Sequence, residues 1–301
     1  MGDSDARGKM FCEKDICFVI NMKKGHIYNR WMGTIDTNFE EKKCVVLSTV
    51  SDNVRKKEIH WDKFVKQILE LPEATNLTKV EGIGINEGKM YLIHEHMACE
   101  KLDVRISDPG SETEVMGYVC GILEGLDVIH SFGLLHPALS TKKVLLTKQG
   151  ICKLYDFCLT EDASNIVKIR KSRMICTLNQ LAPEAILRDK YSKASDIWSV
   201  AVVIWEILSS GSPPFPHEEQ TQDGENAVYN LPDTWPSKYK ISRNELLFEC
   251  WNQETSLRPS ICQLKSSFTE CFESLDTYGP SVTSTEDSAA SYVHMEGIGK
   301  S

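Results

Sequence analysis

The spacing of the apolar residues changes near residue 100. Between residues 16 and 97 they come in short alternating runs, as at 16–20, 44–50 and 90–93, which indicates strands, with one helical stretch at 61–71. From Val115 onward they recur at helical spacing, and the same spacing returns at 197–208 and 245–251. The sequence therefore predicts an α+β fold of two lobes, a small β-rich lobe with one helix and a larger, mostly helical lobe.

Four segments follow from this pattern. We expect an N-terminal extension over residues 1–14, the β-rich lobe over 15–97, the helical lobe over 98–272 and a tail over 273–301. The tail is rich in Ser, Thr, Gly and acidic residues and poor in large apolar ones. Such a segment cannot bury enough apolar surface to order itself, so we expect it to be disordered.

Composition narrows the class of protein. The chain is 41% hydrophobic and has a formal net charge of −9, which argues against a general nucleic-acid binder. Its 11 cysteines lack paired spacing, so we expect reduced thiols and no metal ligands among them. No apolar run is long enough to span a bilayer. We expect a cytoplasmic protein or the intracellular part of a receptor, whose transmembrane segment would lie outside this chain.

Five short motifs occur in a fixed order in the second half of the chain. They are Asp156-Phe157-Cys158, Ala182-Pro183-Glu184, Ser195-Asp196-Ile197-Trp198-Ser199, Cys250-Trp251 and Arg258-Pro259-Ser260. Their order and spacing resemble the signature set of the protein kinases. Trp205-Glu206-Ile207 and Pro213-Pro214-Phe215-Pro216 resemble the tyrosine-kinase branch, especially the receptor tyrosine kinases. The resemblance covers roughly residues 15–272 and implies a bilobal protein-kinase-like fold.

The residues that the resemblance assigns to phosphoryl transfer are replaced. Ser48 stands in place of the phosphate-binding lysine, and Gln67 in place of the glutamate that pairs with it. Ala138 replaces the catalytic aspartate, Lys143 replaces the metal-binding asparagine, and Cys158 replaces a glycine. Alanine cannot accept a proton, and an ammonium group repels Mg²⁺. We therefore expect no catalytic residues and no metal site.

The nucleotide cleft that the resemblance implies is altered too. One glycine remains of the three that would cover the phosphates, and bulkier residues stand beside the adenine position and behind it. The residues of this vestigial cleft are Gly25, Arg30, Val46, His94, Leu145 and Asp156, and Asp156 survives as a possible single metal ligand. We expect weak binding of ATP and Mg²⁺, or none, and a half-exposed or hydrogen-bonded His94.

Residues that match the family's scaffold are kept. The resemblance implies that Glu184 pairs with Arg258, that Asp196 holds the backbone of the loop carrying Ala138, and that His136 and Phe157 belong to an apolar stack between the lobes.

Two local features leave a choice open. Glu70 lies one helical turn after Gln67 and could replace the missing carboxylate. The basic run at 168–173 is more typical of a solvated face than of an anion-docking site.

The combined pattern predicts a pseudokinase without phosphotransferase activity. We expect it to act as a scaffold or allosteric partner of active kinases or signalling adaptors, at the cytoplasmic face of the plasma membrane within a longer receptor. Tyr278 and Tyr292 are candidate phosphosites, and Tyr292-Val293-His294-Met295 has the Tyr-x-x-Met form that SH2 domains bind once it is phosphorylated. The alternatives are a nucleotide-binding switch without turnover, or a weakly active atypical kinase that recruits Lys23, Lys42 or Lys43.

Overall fold

The structure is a computed structural model. It describes residues 9–36, 41–54, 58–108, 110–174, 180–215, 232, 235–236 and 244–277. Tyr278, Tyr292 and the part of the expected tail after residue 277 lie outside the described residues.

The small lobe is built on a sheet. Among the described residues this sheet has six strands in the order β1-β5-β6-β4-β3-β2. The strands are β1 (Lys9–Phe11), β2 (Ile16–Lys24), β3 (Tyr28–Asp36), β4 (Lys42–Val50), β5 (Val80–Asn86) and β6 (Lys89–Glu95). Helix α1 (Trp61–Leu69) packs beside the sheet and ends two residues before the predicted helical stretch does.

Alternation along β4 sorts its side chains between the two faces of the sheet. Val45 and Leu47 are buried in a small apolar cluster together with Ile35 and Ile93. Ser48 points to the opposite face, toward the large lobe, because successive side chains of a strand alternate in direction. This face forms the roof of the interlobe cleft.

The sheet begins earlier than the expected boundary at residue 15. Strand β1 pairs in parallel with β5, from Lys9 opposite Gly82 to Phe11 opposite Gly84. Phe11 is buried at 2% exposure in the same apolar cluster as Val45. A strand of three residues is too short to show a period of two, so the sequence pattern did not reveal it.

The large lobe is mostly helical. Its helices are α2 (Leu102–Arg105), α3 (Glu112–Ser131), α4 (Thr160–Ser172), α5 (Pro183–Leu187), α6 (Lys193–Leu208), α7 (Glu245–Glu249) and α8 (Ile261–Thr277). Its short strands are β7 (Cys99–Lys101), β8 (Leu134–Leu135), β9 (Val144–Thr147), β10 (Cys152–Leu154) and β11 (Cys158–Leu159). The bilobal α+β fold expected from the sequence is confirmed.

Local sequence explains where the central helices lie. Helix α3 begins at a capping box, in which Ser111 Oγ accepts from the backbone of Glu114 at 3.3 Å and the Glu114 carboxylate accepts from the backbone of Ser111 at 2.9 Å. Helix α6 is apolar on nearly all sides and is buried over most of its length, with Trp198 fully inaccessible. No helix in the described parts of the chain combines the length and the apolarity needed to cross a membrane.

Candidate functional site

The interlobe cleft is centred on the carboxylate of Asp156, which lies between β10 and β11. Its Oδ1 atom accepts a hydrogen bond from Arg30 Nη2 at 2.8 Å, and its Oδ2 atom accepts one from Arg170 Nη2 at 2.6 Å. Lys143 Nζ lies 3.7 Å from Oδ2. Both oxygens are therefore held by guanidinium groups. We refer to Asp156, Arg30, Arg170 and Lys143 as the Asp156 charge cluster.

The charges of this cluster keep Asp156 ionised. Burial alone would raise the pKa of its carboxyl group, but the positive charges of Arg170, Arg30 and Lys143 outweigh burial and hold that pKa well below the ordinary value. The Asp156 side chain is only 10% exposed. An ionised, buried carboxylate with two guanidinium partners has little capacity left for a metal ion.

Arg30 crosses the cleft from the small lobe. It lies on β3 opposite Ser48, the residue that stands at the expected lysine position. Its guanidinium carbon lies 5.7 Å from the ring centroid of Tyr28 and 5.4 Å from that of Tyr155. Two aromatic rings and one carboxylate thus hold the cation in place. Arg30 connects the roof of the cleft directly to Asp156.

Arg170 reaches the cluster from helix α4. This helix starts directly after β11 and lies against α1 as well as the large lobe. The backbone and Nδ1 atoms of His60 bind the carboxylate of Asp162 at 2.9 and 2.7 Å, and Lys63 Nζ binds Glu161 at 2.7 Å. The α4 helix therefore occupies the boundary between the lobes and aims Arg170 at Asp156.

The basic run at 168–173 is solvated only in part, whereas our interpretation of the sequence was a solvated face. Arg170 is 4% exposed, and besides Asp156 it donates to the carbonyl of Pro137. Lys171 Nζ donates to the carbonyls of Ala185 and Ile186 at 3.0 and 2.6 Å and to Asp189 at 2.6 Å. Charge spacing alone did not reveal this, because the partners come from distant parts of the chain.

The loop that carries Ala138 is tied to the same cluster. The carbonyl of Pro137 accepts from Lys143 Nζ at 2.9 Å in addition to Arg170. Ala138 itself is buried and has a positive φ of 53°. Lys143, at the expected metal-binding position, therefore supplies a cation to the loop and to Asp156.

The hairpin between β2 and β3, which the resemblance places over the phosphates, is held by contacts among its own residues. The backbone N–H of Gly25 donates to Asn29 Oδ1 at 3.1 Å, and a Cβ atom at position 25 would collide with the carbonyl oxygen of Tyr28. Tyr28, at the position of the third expected glycine, is buried with its ring centroid 5.7 Å from that of Trp61. Its side chain fills space beneath the hairpin.

The space that remains in the cleft is small. The cavity bounded by Tyr28, Arg30, Ser48, His94 and Asp156, among other residues, has a volume of about 30 Å³. That is room for about one or two water molecules. Pockets that bind nucleotide-sized ligands measure roughly 300–1,000 Å³. The cavity beside Asp156 is thus at least about tenfold smaller than such a pocket.

His94 is partly buried, which agrees with the half-exposed histidine that was one of our two expectations. Its Nδ1 atom is buried and has no hydrogen-bond partner within the described ranges of the chain. Burial, together with the charge of Arg30, lowers the pKa of His94 to about 4. The ring is therefore neutral at physiological pH, which avoids adding a further positive charge beside Arg30.

The other residues that replace expected catalytic residues lie at separate places around the cleft. Gln67 points away from Ser48 and donates to the carbonyl of Phe132. Glu70 is exposed at the end of α1 and does not take the place of the missing carboxylate. Cys158 pairs with Leu135 and is buried in the main apolar core, and this burial raises the pKa of its thiol far above the ordinary value.

Val46 and Leu145 are partly buried residues of β4 and β9. Neither is among the described residues that bound the small cavity. Of the two bulky replacements expected beside the adenine position, Arg30 is the one that lines this cavity.

The scaffold residues form two buried polar groups. Glu184 accepts two hydrogen bonds from the guanidinium of Arg258, each 2.8 Å long, and a third from Ser195 Oγ at 2.7 Å. The Arg258 guanidinium also lies 5.1 Å from the ring centroid of Trp198. The pair joins α5 to the segment before α8.

The second polar group is centred on Asp196. Its Oδ2 atom accepts from the backbone N–H of His136 at 2.8 Å, and its Oδ1 atom accepts from the Tyr191 hydroxyl at 2.7 Å. His136 Nε2 donates to the carbonyl of Tyr155 at 2.6 Å, while burial and the charge of Lys143 lower the pKa of His136 to about 4. Phe157 packs against Phe64 of α1, with ring centroids 6.3 Å apart. The sequence had not singled out Tyr191.

One further buried carboxyl group supports the same loop. Glu206 of α6 accepts a hydrogen bond from Thr141 Oγ1 at 3.1 Å, and burial raises the pKa of Glu206 to about 7. A raised pKa means that the folded chain holds a proton that the unfolded chain has already lost. The stabilising contribution of the neutral form is therefore complete below the unfolded pKa, near 4.5, and is lost as the pH rises through about 7.

We expect Glu206→Gln, which mimics the neutral acid, to stabilise the chain relative to wild type at pH 8 and to have little effect at pH 4.5. The difference in unfolding free energy should grow by at most about 1.4 kcal/mol per pH unit between these values. Urea unfolding at several pH values measures it. A difference that does not change with pH would contradict the buried environment of Glu206.

In the described part of the chain, no three His, Cys, Asp or Glu side chains are placed to hold a metal ion together. Residues 18–268 match the family model of the protein tyrosine and serine/threonine kinases. This match covers most of the chain, including both lobes and the whole cleft.

Curated relatives agree with the family model. The chain is 30% identical to Ephrin type-B receptor 4b of Danio rerio over 203 residues, which is 64% of this chain and 20% of that receptor. It is 26% identical to human Ephrin type-B receptor 4 over 246 residues, 78% of this chain and 24% of that receptor. For Ephrin type-B receptor 3 of Danio rerio the identity is 29% over 202 residues, 64% of this chain and 40% of that protein. The chain thus spans well under two thirds of the length of these relatives. It belongs to the protein tyrosine and serine/threonine kinase family.

Proposed function

We propose that this chain is a catalytically inactive, tyrosine-kinase-like domain that binds ATP weakly or not at all and acts as a scaffold or allosteric partner in receptor-type signalling. The observation that supports this most directly is the Asp156 charge cluster. Arg30 and Arg170 occupy both oxygens of the one carboxylate that the family's pattern retains for metal binding.

The chemistry of phosphoryl transfer explains why this matters. The reaction depends on metal ions that bridge the phosphates and on a base that orients the attacking hydroxyl. The negative charge of Asp156 is already balanced by two guanidinium groups. Lys143 brings a positive charge where a metal ligand is needed, and Ala138 has no group that accepts a proton. Loss of a positioned base alone lowers the rate about 10²- to 10⁴-fold.

The closed cleft adds a second barrier. An incoming nucleotide must displace Tyr28 from Trp61 and Arg30 from Asp156, and it must separate α4 from the cluster. Each of these steps exposes buried groups that are paired in the folded chain. The free energy of nucleotide binding is reduced by the cost of this opening.

One observation keeps a weakly active atypical kinase as a second candidate. Lys23 pairs with Arg30 across β2 and β3, and burial, followed by the charge of Arg30, lowers the pKa of the Lys23 ammonium group. Of the three lysines considered, it is close enough to the cleft for its pKa to respond to Asp156. Lys43, in contrast, pairs with Glu81 on the sheet at 2.7 Å.

Thermal unfolding with ATP tests the proposed function. We expect no change in Tm at millimolar ATP, with Mg²⁺ or with EDTA, because the cleft holds no space for the nucleotide. Binding at 100 times the Kd would stabilise the chain by about 2.7 kcal/mol, which such a measurement detects easily. A protein kinase domain known to bind ATP serves as positive control.

The two alternatives give different results in the same experiment. A shift with EDTA as well as with Mg²⁺ would replace the proposal by a nucleotide-binding switch. A shift that requires Mg²⁺, together with radiolabel transfer that Lys23→Met abolishes, would replace it by an atypical kinase.

The signalling role extends to the tail. We propose that another kinase phosphorylates Tyr292. An SH2 domain of a lipid-kinase regulatory subunit then binds Tyr292-Val293-His294-Met295. The phosphate would pair with arginine side chains in the pocket of that domain. Because the relatives are receptors by name, we also propose that the chain works at the cytoplasmic face of the plasma membrane within a longer receptor. Calorimetry with the SH2 domain tests the motif, and Tyr292→Phe is the control. Equal binding of the variant would refute it.

A further inference from the structure

An apolar patch lies along one edge of the small-lobe sheet. Among the described strands, β2 pairs with β3 alone and so forms this edge. Its residues Val19, Ile20 and Met22 are each more than half exposed. Single exposed apolar side chains are common on protein surfaces, but these three fall within four consecutive positions. Exposed apolar side chains grouped in this way are typical of an interaction surface.

The same strand ends in two exposed cations, Lys23 and Lys24. In the pairing with β3, Ile20 lies opposite Met32 and Lys23 lies opposite Arg30. Met32 and Arg30 are two positions apart on β3, so their side chains share one face of the sheet. Residues opposite each other point the same way, and an irregularity of pairing before Lys23 adds one residue to β2. Ile20 and Lys23 therefore lie on the same face, the one that bounds the interlobe cleft.

The end of helix α4 brings a further cation to this place. Arg173 is exposed, and its Nη1 atom lies 3.4 Å from Nδ1 of His26 in the hairpin that follows β2. Met174, the next residue, is 91% exposed. The large lobe thus repeats the combination of a cation and an apolar side chain that β2 carries on the small lobe. We refer to this surface as the rim patch, formed by Ile20, Met22, Lys23, Lys24, Arg173 and Met174.

The rim patch is positive although the chain as a whole is negative. The two segments that form it, residues 16–30 and 168–181, contain no Asp or Glu. The whole chain, in contrast, has a formal net charge of −9. A local excess of cations on an acidic protein attracts anions to that place alone. Charge and apolar exposure therefore coincide on one surface.

We propose that the rim patch binds the surface of a lipid bilayer that contains anionic lipids. The charged ends of Lys23, Lys24 and Arg173 lie among the anionic headgroups, and the side chains of Ile20 and Met22 enter the boundary with the acyl chains. Both lobes then contact the bilayer, which fixes the orientation of the domain on it. The inference deepens the proposed place of this chain at the cytoplasmic face of the plasma membrane and rests on that part of the proposed function.

The mixture of chemistries favours a bilayer over a soluble polyanion. A nucleic acid or an acidic peptide pairs with cations but offers no apolar phase to Ile20, Met22 and Met174. A bilayer offers both, since long basic side chains keep their charged ends at the headgroups while neighbouring apolar groups enter the interface. The rim patch therefore matches an anionic bilayer better than it matches either soluble partner.

Flotation of the full chain with vesicles tests the inference. Vesicles of phosphatidylcholine with about 30% phosphatidylserine are compared with vesicles of phosphatidylcholine alone. We expect the chain to float with the anionic vesicles at about 0.1 M NaCl and much less at about 1 M, where the Debye length falls from about 10 Å to about 3 Å.

Three results of this experiment overturn the inference. The first is the absence of flotation with anionic vesicles at low salt, and the second is equal flotation with phosphatidylcholine alone. The third is equally tight binding of soluble polyglutamate at the same concentration of negative charge, which would assign the patch to an acidic protein partner instead.

Charge reversal tests where the bilayer binds. We expect Lys24→Glu with Arg173→Glu to lower the partition coefficient onto anionic vesicles at least about 30-fold, because each cation near such a surface contributes about 1 kcal/mol. Lys148→Glu with Lys193→Glu changes the net charge equally, at exposed positions outside the rim patch. We expect this control to lose less than about threefold, since salt screens distant charges. Equal losses in the two double variants overturn the assignment to the rim patch.

The apolar half of the rim patch is tested without any change of charge. Ile20→Ser with Met22→Ser removes two of its apolar side chains, and Val104→Ser with Leu257→Ser does the same at exposed positions elsewhere. We expect the first pair to lower the partition coefficient about tenfold and the second to have little effect. Circular dichroism checks that each variant is folded. No loss in the first pair overturns the entry of apolar side chains into the bilayer, and with it the choice of a bilayer as partner.

These outcomes are distinct from those of the nucleotide experiment. Vesicle binding is measured without ATP, so a Tm shift with ATP would contradict the proposed lack of nucleotide binding and leave the vesicle result unchanged. Conversely, a chain that does not float with anionic vesicles overturns the rim patch as a membrane surface. The absence of an ATP-dependent Tm shift would stand as before.

Discussion

Asp156→Asn is expected to lower the free energy of unfolding by about 3–5 kcal/mol, because it leaves the buried Arg30 and Arg170 without their negative partner. In an ordinary kinase site a carboxylate that holds a metal contributes to catalysis. Here the carboxylate pairs with Arg30 of the small lobe and with Arg170 of α4. Urea unfolding at pH 7, followed by far-UV circular dichroism, measures the difference.

A surface pair provides the control for this variant. Asp52 binds Lys89 Nζ at 2.8 Å, and its side chain is 76% exposed. Asp52→Asn is expected to cost less than about 1 kcal/mol, since exposed pairs contribute little. If Asp156→Asn is no more destabilising than Asp52→Asn, the Asp156 charge cluster does not hold the cleft closed.

The difference in unfolding free energy between wild type and Asp156→Asn should depend on pH. The pKa of Asp156 lies below its ordinary value near 3.8, so its stabilising contribution is present above that pH and is lost as the pH falls below it. The stability difference between wild type and Asp156→Asn should be constant from pH 6 to pH 8 and should shrink below about pH 4. A difference that increases in acid would show that the sign of the shift is wrong.

Glu184→Gln is expected to destabilise the chain by about 3–5 kcal/mol as well, because Arg258, with a fully inaccessible side chain, loses its charged partner. For a chain of this size each kcal/mol lowers Tm by about 2–4 °C. The expected fall in Tm is therefore roughly 6–20 °C, which calorimetry resolves.

Two comparisons make this prediction specific. Glu124 binds Lys265 at 3.2 Å and its side chain is 52% exposed, so Glu124→Gln should change Tm little. Replacing both members of the buried pair, in Glu184→Met with Arg258→Met, removes the unpaired charge and should restore part of the loss. A double variant less stable than both single variants would mean that hydrogen bonds to the surrounding backbone, rather than the charge pair, dominate at this position.

Much of the fold could be predicted from the sequence, because its signals are local and repeated. The change from alternating to helical spacing separates the two lobes, and helical spacing from Val115 onward falls within α3. Strand β1 was not predicted, because a strand of three residues is too short to show alternation of apolar and polar residues. The segment after Asp156 was not predicted as a helix, although it forms α4, the element that closes the cleft.

The candidate site could be predicted only in part. Replacements such as Ala138 and Lys143 are visible in the sequence because motifs of fixed spacing surround them. The partner of a charged side chain is not visible, and so Arg170 was expected to be solvated although it is buried against Asp156. Arg30 was expected to narrow the cleft, but its ion pair with a residue 126 positions away was not anticipated.

The sequence by itself determined which chemical groups this protein has: a kinase-family scaffold with Glu184, Asp196 and Arg258, and no base or lysine at the expected catalytic positions. Only the tertiary structure decided how the remaining charges are used. Asp156, Arg30 and Arg170 meet because strand β3, the loop between β10 and β11, and helix α4 converge between the lobes. Ion pairs between residues so far apart in sequence form only when whole strands and helices pack together. The order of residue types along the chain does not show which elements will pack.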